Sequence, residues 1–168
     1  MQPRLDAART APGLRSVMMG LENYVHQSGL EPTLLQLIKL HASLINGCAY
    51  CADMHTKIAR SLGETEQRLC CVSVWRETPF YSERERAALA WTEAVTLVSV
   101  DHVPDDVYDL ARHAFGEKEL VDLTAAIVAI NGWNRLAIAF RTVPGTFHLG
   151  MRPAETQLVH SSEPPVGG

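Results

Sequence analysis

Apolar residues in this chain recur at intervals of three and four, and no stretch of credible length alternates apolar with polar, so the sequence can build helices but no sheet. Leu14, Val17, Met18, Leu21, Tyr24 and Val25 form one such stripe, which stops at Gly29. Pro32 suits the first turn of a second, which carries Leu34, Leu35, Leu37, Ile38, Leu40 and Ile45 and breaks at Asn46-Gly47. A third runs from about Cys48 to Gly63, and Glu64-Thr65-Glu66 opens a short fourth that extends through Trp75 and closes at Thr78-Pro79. Ser82-Glu83-Arg84-Glu85 has the form of a capping box, a hydroxyl followed three residues later by a carboxylate, and heads a long helix through Val98. Asp101 and Pro104 turn the chain into a helix with Val107, Leu110, Ala111 and Ala114, and Gly116 separates that from a last one over about 117–140. The run Leu123 to Ile130 is apolar or small on nearly every side, which places it at the centre of the fold or between subunits. The fold class predicted is all-α: one domain over 1–145, a bundle of about six to seven helices assembling as a homo-oligomer, then a Pro/Gly-rich tail over 146–168.

Composition narrows the function classes. The 168 residues are 46% hydrophobic and 20% charged, enough for one domain with a sizeable core. Net charge is -4 and the basic residues are scattered, so no footprint for nucleic acid is present. The N-terminal residues hold no apolar signal region, and no uninterrupted apolar run approaches the roughly 20 residues that span a bilayer, so the expected location is cytoplasmic with no membrane partner. Four cysteines without a secretion signal are not a disulfide framework.

Chemistry concentrates in Cys48-Ala-Tyr-Cys51-Ala-Asp-Met-His55. On a helix, positions 48, 51 and 55 fall within an arc of roughly 60°, so both thiols and the imidazole share one face. A thiol reacts as thiolate, and its pKa falls beside an imidazole, at a helix N-terminus or in a Cys-x-x-Cys pair. Packing alone is the bland reading, and it suits Cys70 and Cys71, which flank Leu69 and Val72 and are predicted to lie in the core. Zinc is the sharper rival for the 48–55 cluster, with His41 or Asp53 as a fourth ligand. No second Cys-x-x-Cys or His-x-x-x-His pair is present, so no metal and no cofactor is predicted. His26, His102, His113, His148 and His160 stand singly near helix ends or in the tail and read as solvated or capping groups. Trp75, Trp91 and Trp133 read as core.

The stretch from Leu35 through Asn46-Gly47-Cys48-Ala49-Tyr50-Cys51 to Asp53-Met54-His55-Thr56-Lys57, then Trp75 to Phe80, Ser82 to Ala88 and Trp91 to Ala94, closely resembles the alkylhydroperoxidase D-like branch of the carboxymuconolactone decarboxylase family. So do Asn131 to Arg135 and Thr142-Val143-Pro144-Gly145. The resemblance implies an all-helical homo-oligomer whose dithiol reduces peroxides or exchanges disulfides with a partner thiol: a thioredoxin-like protein, a lipoyl group or a small thiol. It further implies that Cys51 attacks the peroxide, that Cys48 resolves the sulfenic acid to a disulfide, and that His55 activates the thiol. Position favours Cys51 for His55, one turn away, whereas Cys48 lies nearer the helix N-terminus and its dipole. Three positions depart from the family pattern: Gln36 stands where peroxidase-competent members carry a relay glutamate, His41 where the branch usually has arginine, and Tyr50 where some members have histidine. An amide cannot accept a proton, so Gln36 leaves the relay incomplete, with His41 as a partial substitute. The family's true decarboxylases lack the Cys-x-x-Cys pair, so its presence argues against that activity. The alternative to a peroxidase is a helical scaffold or slow redox sensor that exchanges disulfides with little peroxide turnover.

Overall fold

The computed structural model describes residues 2–150, all of whose regular elements are helical. In chain order they are α1 (Ala7–Thr10), α2 (Pro12–His26), α3 (Pro32–Ile45), α4 (Ala49–Ser61), α5 (Glu66–Cys71), a 3-10 turn (Val72–Glu77), α6 (Glu83–Thr96), α7 (Val98–Asp101), α8 (Asp105–Ala114) and α9 (Glu117–Phe140). The predicted helices are therefore all present. Two four-residue pieces, α1 and α7, were too short to show a period, and the long helix from Ser82 stops at Thr96 before the chain restarts as α7. The short helix expected through Trp75 is α5 plus the 3-10 turn, kinked at Val74 where φ and ψ leave the helical region.

The bundle is built around α3, whose residues Leu34 to Ser43 are buried without interruption. It packs on α4, α6 and α9, while α2 lies along α9 and α8 along α6. Leu35, Ile38, Ala88, Leu123, Ala126 and Ile127 form the main core, and Leu37, Leu40, Val72, Trp75 and Leu89 form a second under the Trp75 turn. The run Leu123 to Ile130 is central, yet Val121 and Val128, two turns apart, face outward. The capping box at Ser82 is formed in full: the Ser82 hydroxyl accepts from the Glu85 amide and the Glu85 carboxylate from the Ser82 amide.

Two core assignments are corrected. Leu69 and Val72, three apart, take the inward face of this short segment, which turns Cys70 out to solvent and leaves Cys71 half-buried. Trp75 and Trp91 are buried, but Trp133 is only partly so; it packs on the sulfurs at the edge of the core, its indole N–H donating to the Glu22 carboxylate at 3.1 Å. The predicted tail begins at 146, but the chain is still fastened to α4 there: Gly145 donates to Asp53 and Lys57 donates to the Phe147 carbonyl. The remainder of that tail, with Pro153, His160, Pro164, Pro165, Gly167 and Gly168, lies outside the described residues.

Candidate active site

The turn between α3 and α4 places the first cysteine. Gly47 takes φ +70, a left-handed conformation that a side chain would strain, and lets the chain reverse so that Cys48 becomes the N-cap of α4. The Cys48 amide is satisfied by the Ser43 carbonyl at 2.8 Å, and its carbonyl accepts the first helical bond from Ala52 at 2.9 Å. Cys51 follows on the first turn and His55 on the next, all on the inward face as the spacing predicts. Cys48 is 2% exposed, Cys51 1% and His55 5%. The two sulfurs are 2.6 Å apart, and Ala42, Ile130, Tyr50, Trp133 and Ala137 pack around them.

The pair is electrostatically unequal. A hydrogen bond from Cys51 holds the Cys48 thiol down at about 7, against the cost of burial, with backbone N–H groups of the first turn and the Asn134 amide contributing. Cys51 is pushed up instead, because its protonated thiol donates a hydrogen bond to the Cys48 sulfur, is buried and faces that sulfur's charge. The thiol that ionises first is thus Cys48, the one at the helix N-terminus, which favours the reverse of the order implied by resemblance. Tyr50 packs against the pair, and burial followed by the negative charge of Cys51, Asp53 and Cys48 raises its phenol.

His55 Nδ1–H donates to Gln36 Oε1 at 2.8 Å across the α3–α4 interface. That bond fixes the tautomer and leaves Nε2 with a bare lone pair, buried and, among the described residues, without a partner. Burial, then the nearby Lys39 charge, lowers the imidazole to about 3, so it is neutral throughout the physiological range. Among the described residues, no hydrogen bond joins His55 to either sulfur. His41 is not in this network. It lies on the α6 side of α3, where its Nε2 meets Glu93 Oε1 at 2.9 Å, and Glu93 also accepts from the Trp75 indole and Arg76. It therefore does not complete a relay with Gln36. Among the described residues no cluster of three His, Cys, Asp or Glu side chains is assembled for a metal.

Three groups escaped the sequence reading. Asn134, on α9 and fully buried, donates to Ser43 Oγ at 3.1 Å and accepts from Asn46 at 2.9 Å, which aims its amide at the thiols. Lys39, three residues after Gln36, forms a buried ion pair with Glu22 of α2 at 2.5 Å. Of the three only Lys39 carried a signal in the sequence: Gln36, Lys39 and Ser43 repeat at three and four along an otherwise apolar helix.

Fold and site together define a helical thiol protein with a buried, asymmetric dithiol. The model of the carboxymuconolactone decarboxylase family matches residues 12–94. An uncharacterised Bacillus subtilis (strain 168) protein, YdfG, is 45% identical over 139 residues, covering 83% of this chain and 95% of its own. A solved Agrobacterium tumefaciens protein of unknown function, suggested to be the antioxidant defence protein AhpD, is 48% identical, with a TM-score of 0.83 over 85% of this chain and 98% of that one. The alkylhydroperoxidase AhpD core of a Ralstonia eutropha JMP134 peroxidase-related protein shares the fold at 21% identity and a TM-score of 0.72, covering 82% and 74% of the two chains. The chain belongs to the carboxymuconolactone decarboxylase family, in its alkylhydroperoxidase D-like branch.

Proposed function

We propose that this protein is a thiol oxidoreductase that reduces peroxides through a Cys48–Cys51 dithiol/disulfide cycle. The observation that carries the reading is the pair of buried sulfurs 2.6 Å apart, one of them readily ionised. Cys48 thiolate attacks the terminal peroxide oxygen; the O–O bond breaks, the sulfur is oxidised to sulfenic acid, and the leaving oxygen takes a proton and departs as alcohol or water. The bare Nε2 of His55 accepts a hydrogen bond from the peroxide hydroxyl and orients it. Cys51 then attacks the sulfenic sulfur, the S–S bond forms, and the hydroxyl leaves with the Cys51 proton as water. An external thiol, protein-borne or small, returns two electrons and two protons by exchange through a mixed disulfide.

Titration of free thiols before and after one equivalent of peroxide tests this. Two thiols per chain should disappear rapidly, and peptide mapping should find Cys48 linked to Cys51. If thiols persist, or if Cys70 or Cys71 carries the main linkage, the reading fails. The neutral His55 and the amide at Gln36 favour a second reading, disulfide exchange with slow peroxide turnover. Restoring the carboxylate by Gln36→Glu should raise peroxide turnover, because general-base assistance is worth about 100- to 10,000-fold when geometry is intact. Exchange with a small dithiol should change far less, so comparing the two rates in one variant separates the readings.

A further inference from the structure

A charge on sulfur this deeply buried is costly unless donors meet it, and α9 brings a fixed one. Ile130, Asn134 and Ala137 are spaced by four and three, so they share one face of that helix, and Ile130 and Ala137 pack on the two sulfurs. Asn134 stands between them, 0% exposed. Its nitrogen donates to Ser43 Oγ at 3.1 Å, and the Ser43 carbonyl takes the Cys48 amide at 2.8 Å, so the side chain is anchored to the residue that also holds the N-cap.

The orientation of that amide is decided by neighbours that can play only one part. The Ser43 hydroxyl gives its proton to the Lys39 carbonyl at 2.7 Å, so toward Asn134 its oxygen can only accept, and it must meet the NH2 end. On the far side, Asn131 Nδ2 donates to the Ile127 carbonyl at 2.9 Å and so turns its own oxygen to Asn46, whose NH2 reaches the Asn131 and Asn134 oxygens at 3.0 and 2.9 Å. Flipping Asn134 would break bonds at both ends. Its nitrogen meets no oxygen but Ser43 Oγ among the described residues, which leaves the second N–H for the sulfurs. Cys48 is held down first by the hydrogen bond from Cys51, and Asn134 adds to it; at Cys51, pushed up by the bond that joins it to Cys48, Asn134 acts in the lowering direction as well. The other titratable neighbours belong to α4: Tyr50, which packs on the pair and feels Asp53 and Arg15 of α2, and His55, which is neutral.

We infer that Asn134 sets the redox poise of the dithiol: it donates to sulfur held as thiolate, loses that bond in the disulfide, and so favours the reduced pair. A thiolate takes a charge-assisted hydrogen bond, whereas a disulfide sulfur carries no charge and accepts only weakly. The Cys48–Cys51 disulfide is therefore more oxidising than it would be without the amide. It is also opened faster by an incoming thiol, because the sulfur that must leave is stabilised as thiolate. The inference rests on the dithiol cycle proposed above, and not on peroxide being its oxidant.

Equilibration with glutathione tests it. Oxidised glutathione takes two electrons and two protons from the pair and is released as two reduced molecules, and the ratio at equilibrium gives the potential. Asn134→Leu keeps the branched outline of the side chain and strips its N–H, while Ser43 still donates to Lys39 and Asn46 to Asn131. It should shift the equilibrium about tenfold toward the disulfide, about 30 mV, and raise the inflection of Cys48 alkylation above its value of about 7. Asn134→Asp offers oxygens in place of the N–H; it should move both readouts in the same direction and stands in where leucine is not accommodated. Ser82→Ala, which lowers stability away from the thiols, should move neither. An unchanged potential and inflection in a folded Asn134 variant, or an equal shift in Ser82→Ala, would overturn the inference. A wild-type pair that equilibrates with glutathione but is inert to peroxide would remove the peroxidase reading and leave the role of Asn134 to be decided by the same two variants.

Discussion

Two imidazoles in this core, His55 at Nε2 and His41 at Nδ1, each keep one ring nitrogen without a partner among the described residues, and their other nitrogens meet different groups. His55 faces an amide and stays neutral, whereas His41 meets a carboxylate. Burial works against the charge of Glu93, but hydrogen bonds from His41, Trp75 and Arg76 outweigh it and hold the carboxyl at about 2, below its ordinary 4.5. The folded state therefore binds that proton less readily than the unfolded chain does. Its contribution to stability is complete above the ordinary carboxylate pKa and is lost as pH falls from there toward 2. Acid-unfolding curves of Glu93→Gln should be flatter across that window than those of the wild type. At Cys48 the thiolate fraction grows as pH rises through about 7, so alkylation by a small reagent should show its inflection there in place of the usual thiol range near 8.5. Cys51→Ser should move that inflection, since the thiol hydrogen bond that lowers it is replaced. A bulky maleimide should label Cys70 in the folded protein and spare both Cys48 and Cys51.

At the scale of elements, the helices were legible wherever two or more turns repeated a stripe, and opaque where a segment was shorter than one period. Pro32, Gly116 and the Ser82 box marked starts correctly because each acts within its own turn. The exposure of Cys70 was not legible, since the six residues of α5 are too few to show which side faces inward. The site divided in the same way. Cys48, Cys51 and His55 could be placed together because they share the turns of one helix, and Gln36, which meets His55, was singled out only through the family resemblance. Asn134 and Glu22 could not be placed, because α9 and α2 bring them in from distant positions. The Gly47 turn joins α3 to α4, and a side chain in its left-handed conformation costs roughly 1–2 kcal/mol. Gly47→Ala should lower stability by that order in denaturant unfolding and, by displacing the N-cap, slow Cys48 alkylation. Ser82→Ala should cost about 1 kcal/mol through the lost cap and leave the thiols' reactivity unchanged.

For the whole molecule, the outward strip of α9 and α2 sets the expected assembly. Val121 and Val128 on one helix and Val17 and Tyr24 on the other are exposed, and the Tyr24 hydroxyl donates to Asp122 at 2.7 Å, so the two strips adjoin. An apolar strip of this kind fits a symmetric homo-oligomer. Sedimentation at low micromolar concentration should find one, and Val128→Lys should weaken it without unfolding the chain. By length and composition the 24-residue α9 would also pass for a membrane span, but Leu123, Ala126, Ile127 and Ile130 face the core. The hairpin of α3 and α4 has a consequence for how the protein is made. Its four site residues are close in sequence, so they can meet early in folding, whereas Asn134 and Trp133 arrive only when the last helix docks. A chain still emerging from synthesis would hold its two sulfurs side by side before their cover is in place. Refolding in the presence of oxidant should accordingly trap the Cys48–Cys51 link ahead of native structure.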